Sequence, residues 1–172
     1  EGMSMGGFGA LMLGFKYPEL FTSIGTYDAA LVTWDTLSQQ TFDRNIPSQI
    51  FGNDRNYFME NSYPFTFARK NVETIKSLGI KVIMTTGDND VQMGPLYNYN
   101  LAMRDTLNKL GIPLDFNVTR GGGHGASFTG ANVKKYMIFH TNNFKDAATP
   151  TLKPLITASK NNGRLAPVTF SS

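Results

Sequence analysis

The sequence contains no cysteine and only two histidines among its 172 residues. The absence of cysteine excludes a disulfide scaffold, a thiol nucleophile and a cysteine metal site. Two histidines leave little room for a histidine-rich metal site. No apolar run approaches the roughly 18 to 20 residues that a helix needs to cross a bilayer. We therefore expect no metal, no cofactor and no membrane-spanning helix in this chain.

Neither positive nor negative charge dominates the sequence. Sixteen Lys and Arg against thirteen Asp and Glu give a net charge of +3, and no run of basic residues, such as Lys134 and Lys135, is longer than two. Such scattered charge argues against a nucleic-acid partner. The 41% hydrophobic and 17% charged composition is that of an ordinary globular protein, which excludes a wholly disordered or fibrous chain.

Both ends of the sequence suggest a piece of something longer. The first residue is Glu1 rather than an initiator Met, and no leader precedes the first motif, so a signal peptide, if there is one, is expected upstream. From residue 145 onward the periodicity stops, and Pro150, Pro154 and Pro167 stand among Thr, Ser and Asn. We expect residues 145–172 to be a linker or the start of a further domain.

Hydrophobic periodicity predicts alternating helices and strands. Helices are expected at residues 6–17, 64–79 and 96–110 and in a last segment whose inner face would be Val133, Tyr136, Met137, His140 and Phe144; strands are expected at residues 21–27, 80–86 and 114–119. Residues 28–63 show no sustained period, which indicates a lid or connecting region with short helices. This order predicts an α/β fold in which crossover helices join parallel strands.

The first motif is Gly2-Met3-Ser4-Met5-Gly6, a match to the GxSxG nucleophile elbow. In that elbow a serine lies on a sharp turn from a strand to a helix, and glycines two positions before and after it avoid collisions. The pattern is short, so its context must decide. Here it opens a helix rich in small residues, as an elbow requires.

Chain order supplies that context, because an α/β-hydrolase places its acid and then its histidine after the nucleophile, on loops at strand ends. Asp88 and Asp90 follow the predicted strand 80–86, and His124 follows the strand 114–119 among four glycines. We favour Asp90 as the acid and expect the other aspartate to cap the loop. His140 lies on the apolar stripe of the last helix, where a packed, hydrogen-bonded histidine is expected.

Together, the segments GMSMGGFGAL, GDND and GGGHGASF resemble the α/β-hydrolases of the esterase D and feruloyl esterase type, a carbohydrate esterase-like group. The resemblance covers about residues 1–144 and implies the carboxyl-terminal half of a catalytic domain, with its amino-terminal strands missing. It implies Ser4 as nucleophile, His124 as general base, Asp90 as acid because it follows Gly87 by three, and the backbone N–H of Met5 as one oxyanion donor.

The resemblance also implies a secreted enzyme whose fold is completed by the upstream half of the same protein or by another chain. The chemistry would be acyl transfer from an ester to Ser4 and then to water. An aromatic-rich stretch at residues 51–67, with Trp34 upstream, makes Trp34, Tyr57 and Phe58 candidate contacts for a feruloyl or acetyl ester of plant polysaccharide. Core packing is an equal explanation for these rings. An acyltransferase with the same triad and a non-catalytic binding protein are the alternatives.

Overall fold

A computed structural model describes residues 1–39, 46–91 and 95–145. In these ranges four parallel strands form one sheet in the order β1-β2-β3-β4. The strands are β1 (Gly2–Met3), β2 (Ser23–Tyr27), β3 (Lys81–Gly87) and β4 (Leu114–Thr119). The predicted α/β fold with parallel strands is confirmed. Of the predicted tail at residues 145–172, Lys145 is the last residue of a helix, and the remaining residues lie outside the described ranges.

Eight helices connect or cover the strands in the described part of the chain. They are α1 (Met5–Lys16), α2 (Trp34–Gln39), α3 (Ile46–Phe51), α4 (Arg55–Asn61), α5 (Pro64–Lys70), α6 (Val72–Ser77), α7 (Leu96–Leu110) and α8 (Ala126–Lys145). A short 3₁₀ turn at Pro18–Leu20 follows α1. No helix in these ranges combines the length and the apolarity that a bilayer crossing requires.

The sheet register places the strand ends together. Tyr27 is paired with Thr85, Gly87 is paired with Thr119, and Met3 is paired with Tyr27. Parallel strands end at the same edge, and loops at that edge are the usual place for a functional site in an α/β sheet. The serine turn, the two aspartates after β3 and the loop of His124 therefore all leave the sheet at one edge.

One predicted helix is divided in two. The segment 64–79 breaks at Asn71, whose side-chain amide donates to the backbone oxygen of Phe15 at 2.7 Å. This bond fastens the junction of α5 and α6 to the end of α1. A tertiary contact of this kind overrides a local helical pattern, because it fixes the backbone of one residue outside the helical register.

The two faces of the sheet are covered unequally. On one face, α1, α5 and α7 enclose the main core, which includes Leu11, Phe15, Val82, Met84 and Met103, all with no exposed surface. On the other face, Tyr136 of α8 packs against Tyr27 and Ile83 of the sheet in a second, small core cluster. The Tyr27 and Tyr136 rings stack with their centroids 3.9 Å apart.

The predicted inner face of the last helix is only partly correct. Tyr136 is fully buried, but Val133, Met137 and Phe144 are 42%, 58% and 63% exposed. The helix meets the sheet along a narrow stripe, where a Cβ added to Gly25 would lie 2.9 Å from the Tyr136 ring. Met137 follows Tyr136 by one position, which turns its side chain about 100° away from that stripe.

Candidate active site

Ser4 occupies the sharp turn that the motif predicts. It lies between β1 and α1 with φ 55° and ψ −121°, a left-handed backbone that is uncommon for any residue but glycine. Its N–H donates to the Tyr27 oxygen at 2.9 Å, and its own carbonyl oxygen accepts from Phe8 at 3.0 Å and Ala30 at 2.9 Å. These bonds hold a conformation that would otherwise cost about 1 to 3 kcal/mol.

The two motif glycines meet different surroundings. A Cβ on Gly2 would lie 2.2 Å from the Gly6 carbonyl oxygen, so a side chain there would collide with the backbone of α1. A Cβ on Gly6 would meet nothing within 4 Å in the described structure. The expectation that both glycines avoid a collision is therefore met at Gly2 and not at Gly6 within these residues. The two residues of β1 lead directly into the Ser4 turn.

Asp90 and His124 form a direct pair at the same edge of the sheet. The Asp90 Oδ2 atom lies 2.6 Å from His124 Nδ1, with the Asp90 side chain fully buried and the His124 side chain 10% exposed. A carboxylate can only accept, so Nδ1 carries the hydrogen and Nε2 is left as the basic nitrogen. Among the described residues Ser4 Oγ makes no hydrogen bond with His124.

Asp88 has a different role in the same loop. It is exposed, and its Oδ1 atom accepts from the Gly121 N–H at 2.6 Å. The Asp88 N–H donates to Thr119, and the Asn89 N–H donates to Gly122. We call residues 87–89 and 119–122 the paired loops. Asp88 thus ties the acid-bearing loop to the histidine-bearing loop.

Backbone contact between the paired loops leaves no room for a side chain. A Cβ on Gly87 would lie 2.1 Å from the carbonyl oxygen of Gly122, closer than two atoms can approach without displacement. Gly87 is therefore required for the loops to meet, independently of its spacing from Asp90. The glycines around His124 let the chain turn back from β4 toward the acid.

The structure adds a residue that the sequence analysis missed. Asp28 directly follows β2, is fully buried and has φ 41°. Its Oδ1 atom accepts from the Gly87 N–H at 2.8 Å and from Thr86 Oγ1 at 2.9 Å, whereas Oδ2 has no partner in the described structure. Burial raises the pKa of this carboxyl above its ordinary value, against the opposing effect of the two hydrogen bonds. Its position at a strand end, like that of Asp90, is the signal that could have found it.

Asp28, Asp90 and His124 each place one ligand-type atom within 4.8 Å of the others. Two carboxylates and an imidazole are donors that a divalent metal accepts. However, the 2.6 Å contact between Asp90 and His124 has the length of a charge-assisted hydrogen bond, in which the two atoms use each other as partners. The arrangement is therefore suited to holding a proton between the two side chains.

Met5 begins α1 directly after the serine. The N–H groups in the first turn of a helix have no acceptor within that helix, and the helix dipole adds partial positive charge there. The backbone N–H of Met5 is thus chemically able to bind an oxyanion beside Ser4. The Met5 side chain itself is 47% exposed.

The candidate substrate contacts fall into three environments. Phe58 is fully buried and packs against Trp34 and Phe51, with ring centroids 5.6 and 5.0 Å away. Its ring belongs to the core, which leaves no surface for a substrate and corrects its assignment as a contact. Tyr57 is 52% exposed, and Trp34 is half-buried at the start of α2.

The second histidine is packed and hydrogen-bonded, as the sequence predicts. His140 Nδ1 lies 2.7 Å from Ser23 Oγ, and its Nε2 atom lies 3.3 Å from a Glu1 carboxylate oxygen. Burial lowers the pKa of His140, while the Glu1 carboxylate acts in the opposite direction. This group fastens α8 to the start of β2.

Comparison with known structures identifies the fold. Over 81% of this chain and 52% of theirs, two Staphylococcus aureus proteins superpose at 21% identity: the fluorophosphonate-binding serine hydrolase FphF, with a TM-score of 0.67, and the S-formylglutathione hydrolase FrmB, with a TM-score of 0.66. A ferulic acid esterase superposes with a TM-score of 0.63 at 23% identity, over 83% of this chain and 50% of its own. The chain thus spans about half the length of these structures.

Comparison with curated proteins gave no significant match. The family model of the prolyl oligopeptidase family, by contrast, matches residues 1–147. Esterases of the feruloyl and S-formylglutathione type are among the similar structures without being singled out from other hydrolases. The chain has the α/β-hydrolase fold and belongs to the prolyl oligopeptidase family.

Proposed function

We propose that this chain carries the nucleophile, base and acid of a serine hydrolase that cleaves carboxylic esters. The observation that supports this most is the 2.6 Å pair of Asp90 and His124 at the sheet edge from which the strained Ser4 turn also projects. Hydrogen bonds between a nucleophile and its base are often long or absent before substrate binds. The missing Ser4–His124 bond is therefore compatible with the proposal.

In this mechanism Ser4 attacks the carbonyl carbon of the ester, and His124 Nε2 takes the serine proton. Asp90 keeps the imidazole in the tautomer with hydrogen on Nδ1 and stabilises the imidazolium that forms. The Met5 N–H holds the developing oxyanion. The protonated histidine then gives its proton to the leaving alcohol, and water releases the acid from the acyl-enzyme.

For the substrate, we propose feruloyl or acetyl esters of plant polysaccharide. The half-buried Trp34 at the start of α2, tilted against Phe51 and Phe58, offers an aromatic face. A ring of this kind stacks on a phenolic acyl group or a sugar. The similar ferulic acid esterase supports the same class. The family name makes a prolyl peptide the competing acyl donor.

The decisive experiment is fluorophosphonate labelling of the full-length protein, followed by mass spectrometry of the peptide that contains Ser4. We expect one labelled serine, Ser4, with no label in Ser4→Ala. Rates on matched feruloyl, acetyl and prolyl anilide substrates then identify the acyl donor, and the ratio of free acid to transfer ester separates a hydrolase from an acyltransferase. An unlabelled Ser4 together with no turnover of any substrate would favour a binding protein.

We also propose that the upstream half of the protein, or another chain, covers the β1 side of the sheet. In the described sheet β1 has one neighbour, β2. A groove of about 330 Å³ lies next to Glu1 and the start of β2, and small residues of α1 form part of its lining, including Gly6, Gly9 and Ala10. Residues 1–172 expressed alone are expected to aggregate through this edge. A soluble monomer with cooperative unfolding and full esterase turnover would contradict this.

A further inference from the structure

The buried Asp28 carboxyl has no part in the three-residue mechanism. It lies at the end of β2, between the serine turn and the Asp90–His124 pair: its own N–H donates to Thr85, and two residues later the Ala30 N–H donates to the Ser4 carbonyl oxygen. The side chain of Asn100 on α7 donates to the Ala29 oxygen at 2.9 Å and fixes the segment from the opposite side. The backbone of residues 28–30 is thus fixed within the site.

The hydrogen bonds of Asp28 distinguish its two oxygens. Oδ1 accepts two hydrogen bonds, from Thr86 and Gly87, which is the capacity of a carbonyl oxygen. Oδ2 is buried and has no partner in the described structure. A buried carboxylate oxygen without a donor is costly, whereas a hydroxyl oxygen in that position carries its own hydrogen.

The charges around Asp28 also favour its protonated, neutral form, in which Oδ2 is a hydroxyl. Among the described residues, the ionisable groups that face Asp28 are Asp90, from the loop after β3, and His124, from the loop after β4. The neighbours from β3 and α7 are the uncharged Thr86, Gly87 and Asn100. Two carboxylates beside one neutral imidazole would leave an uncompensated buried charge, and like charges that share a site raise the pKa of one member.

We propose that Asp28 is a positioning residue whose neutral carboxyl directs the hydrogen on Oδ2 to the Asp90 carboxylate and so keeps Asp90 aligned with His124. This inference rests on the proposed function of the Asp90–His124 pair. One carboxylate oxygen of Asp28 lies within 4.8 Å of one of Asp90, and a small rotation of the Asp28 side chain or one bridging water would connect the two carboxyl groups. By withdrawing charge from Asp90, the donor moderates how strongly that carboxylate holds the imidazolium.

Two substitutions separate the possible states of Asp28. Asp28→Asn keeps the shape, an acceptor for Thr86 and Gly87, and a donor in place of the Oδ2 hydroxyl. Asp28→Gly removes the side chain, and glycine tolerates φ 41°, where alanine would be strained. Asp115→Asn, at a half-exposed surface aspartate paired with Lys135, is the control for loss of an aspartate charge.

The experiment measures kcat, KM and the pH midpoint of kcat/KM in the full-length enzyme. We expect Asp28→Gly to lower kcat by about 10- to 100-fold with little change in KM, because misalignment costs about this much. Its pH midpoint should rise by about half a unit, because Asp90 then holds the imidazolium more strongly. Asp28→Asn should recover most of the lost kcat and restore the midpoint, and Asp115→Asn should behave as wild type.

The sign of the shift decides the outcome. If Asp28 were ionised, both substitutions would remove a negative charge and lower the midpoint, which would overturn the proposal. A lower melting temperature with an unchanged midpoint in both variants would overturn it too, as would activity that is lost with EDTA and restored by Zn²⁺. The pH midpoint of the His124 ring signals by NMR tests Asp28 even without turnover, whereas normal turnover by Ser4→Ala would contradict only the proposed function.

Discussion

Two groups of serine, histidine and carboxylate lie at opposite ends of β2. At its carboxyl end, the Ser4 N–H donates a hydrogen bond to the Tyr27 oxygen, at the sheet edge that also carries the pair of Asp90 and His124. At its amino end, Ser23 contacts His140, which in turn lies 3.3 Å from Glu1. Each group has a serine, a histidine and a carboxylate, yet of the two only the first includes the turn between β1 and α1 that matches a nucleophile elbow.

The difference lies in the backbone of each serine. Ser23 begins a regular strand and is paired with Lys81 in the sheet, and its hydroxyl is engaged by His140. Ser4 has a left-handed backbone and stands directly before a 12-residue helix, whose first N–H groups have no acceptor within the helix and can bind an oxyanion. Ser4, the proposed nucleophile, therefore differs from Ser23 in its backbone turn as well as in its neighbours.

The largest expected effect comes from replacing each of the two serines separately by alanine. Ser4→Ala should lower kcat on an aryl ester by about 10⁴- to 10⁶-fold, because only binding and oxyanion stabilisation remain. Ser23→Ala should stay within about threefold of wild type, since β2 keeps its backbone pairing. Steady-state kinetics with circular dichroism as a folding check measures both. Equal losses in the two variants would remove the distinction between the groups.

The next effect concerns the two aspartates after β3. Asp90→Asn should lower kcat by about 10⁴-fold, because the amide presents the wrong hydrogen-bonding pattern to His124. Asp88→Asn should cost less than about 10²-fold, since it weakens only the tie between the paired loops. Rates at saturating ester are the measurement. A greater loss in Asp88→Asn would show that the acid is misassigned.

A smaller effect is expected on stability from the contact of the paired loops. Gly87→Ala should destabilise the protein by about 1 to 3 kcal/mol, because the added methyl group meets backbone that cannot move freely. Gly123→Ala is the matched control, since a Cβ there meets nothing within 4 Å. Urea unfolding of the full-length protein compares them. Identical midpoints would contradict the close approach of Gly87 and Gly122.

The smallest effect is the pH dependence of the Ser23 group. Burial lowers the pKa of His140, so the folded state binds this proton less readily than the unfolded chain. The stability contributed by neutral His140 is present above the unfolded value of about 6.5 and is lost as the pH falls through the folded value. The melting temperature should therefore fall on acidification, and less steeply in His140→Gln. If the melting temperature depended on pH in the same way in wild type and in His140→Gln, this contribution of His140 would be excluded.

Local patterns were sufficient for most of the fold because long amphipathic helices and buried strands carry their own period. The strand at Leu114–Thr119 and the helix at Leu96–Leu110 have the predicted bounds. The break at Asn71 and the exposed side of α8 depend on tertiary contacts that no local period encodes. The burial of Phe58 also depends on tertiary contacts, because an aromatic-rich segment has the same sequence pattern whether its rings face a ligand or the core.

The site was predictable only in part for a related reason. A motif and chain order indicate Ser4, Asp90 and His124, and the distance between the last two then follows from the register of neighbouring strands. Asp28 belongs to no motif, and its relation to Asp90 arises only when β2 and β3 are paired. Neutral carboxyls of this kind are invisible until the donors around them are known.

The contact of Gly87 with Gly122 has a consequence for protein engineering. The paired loops contact each other through backbone atoms and are joined by backbone hydrogen bonds, so they form one structural unit rather than two independent segments. A library that randomises residues 119–122 alone would mostly sample broken sites. Variation for new specificity should instead be directed to the region around Trp34 and Tyr57, while both loops are transplanted together when sites are moved between scaffolds.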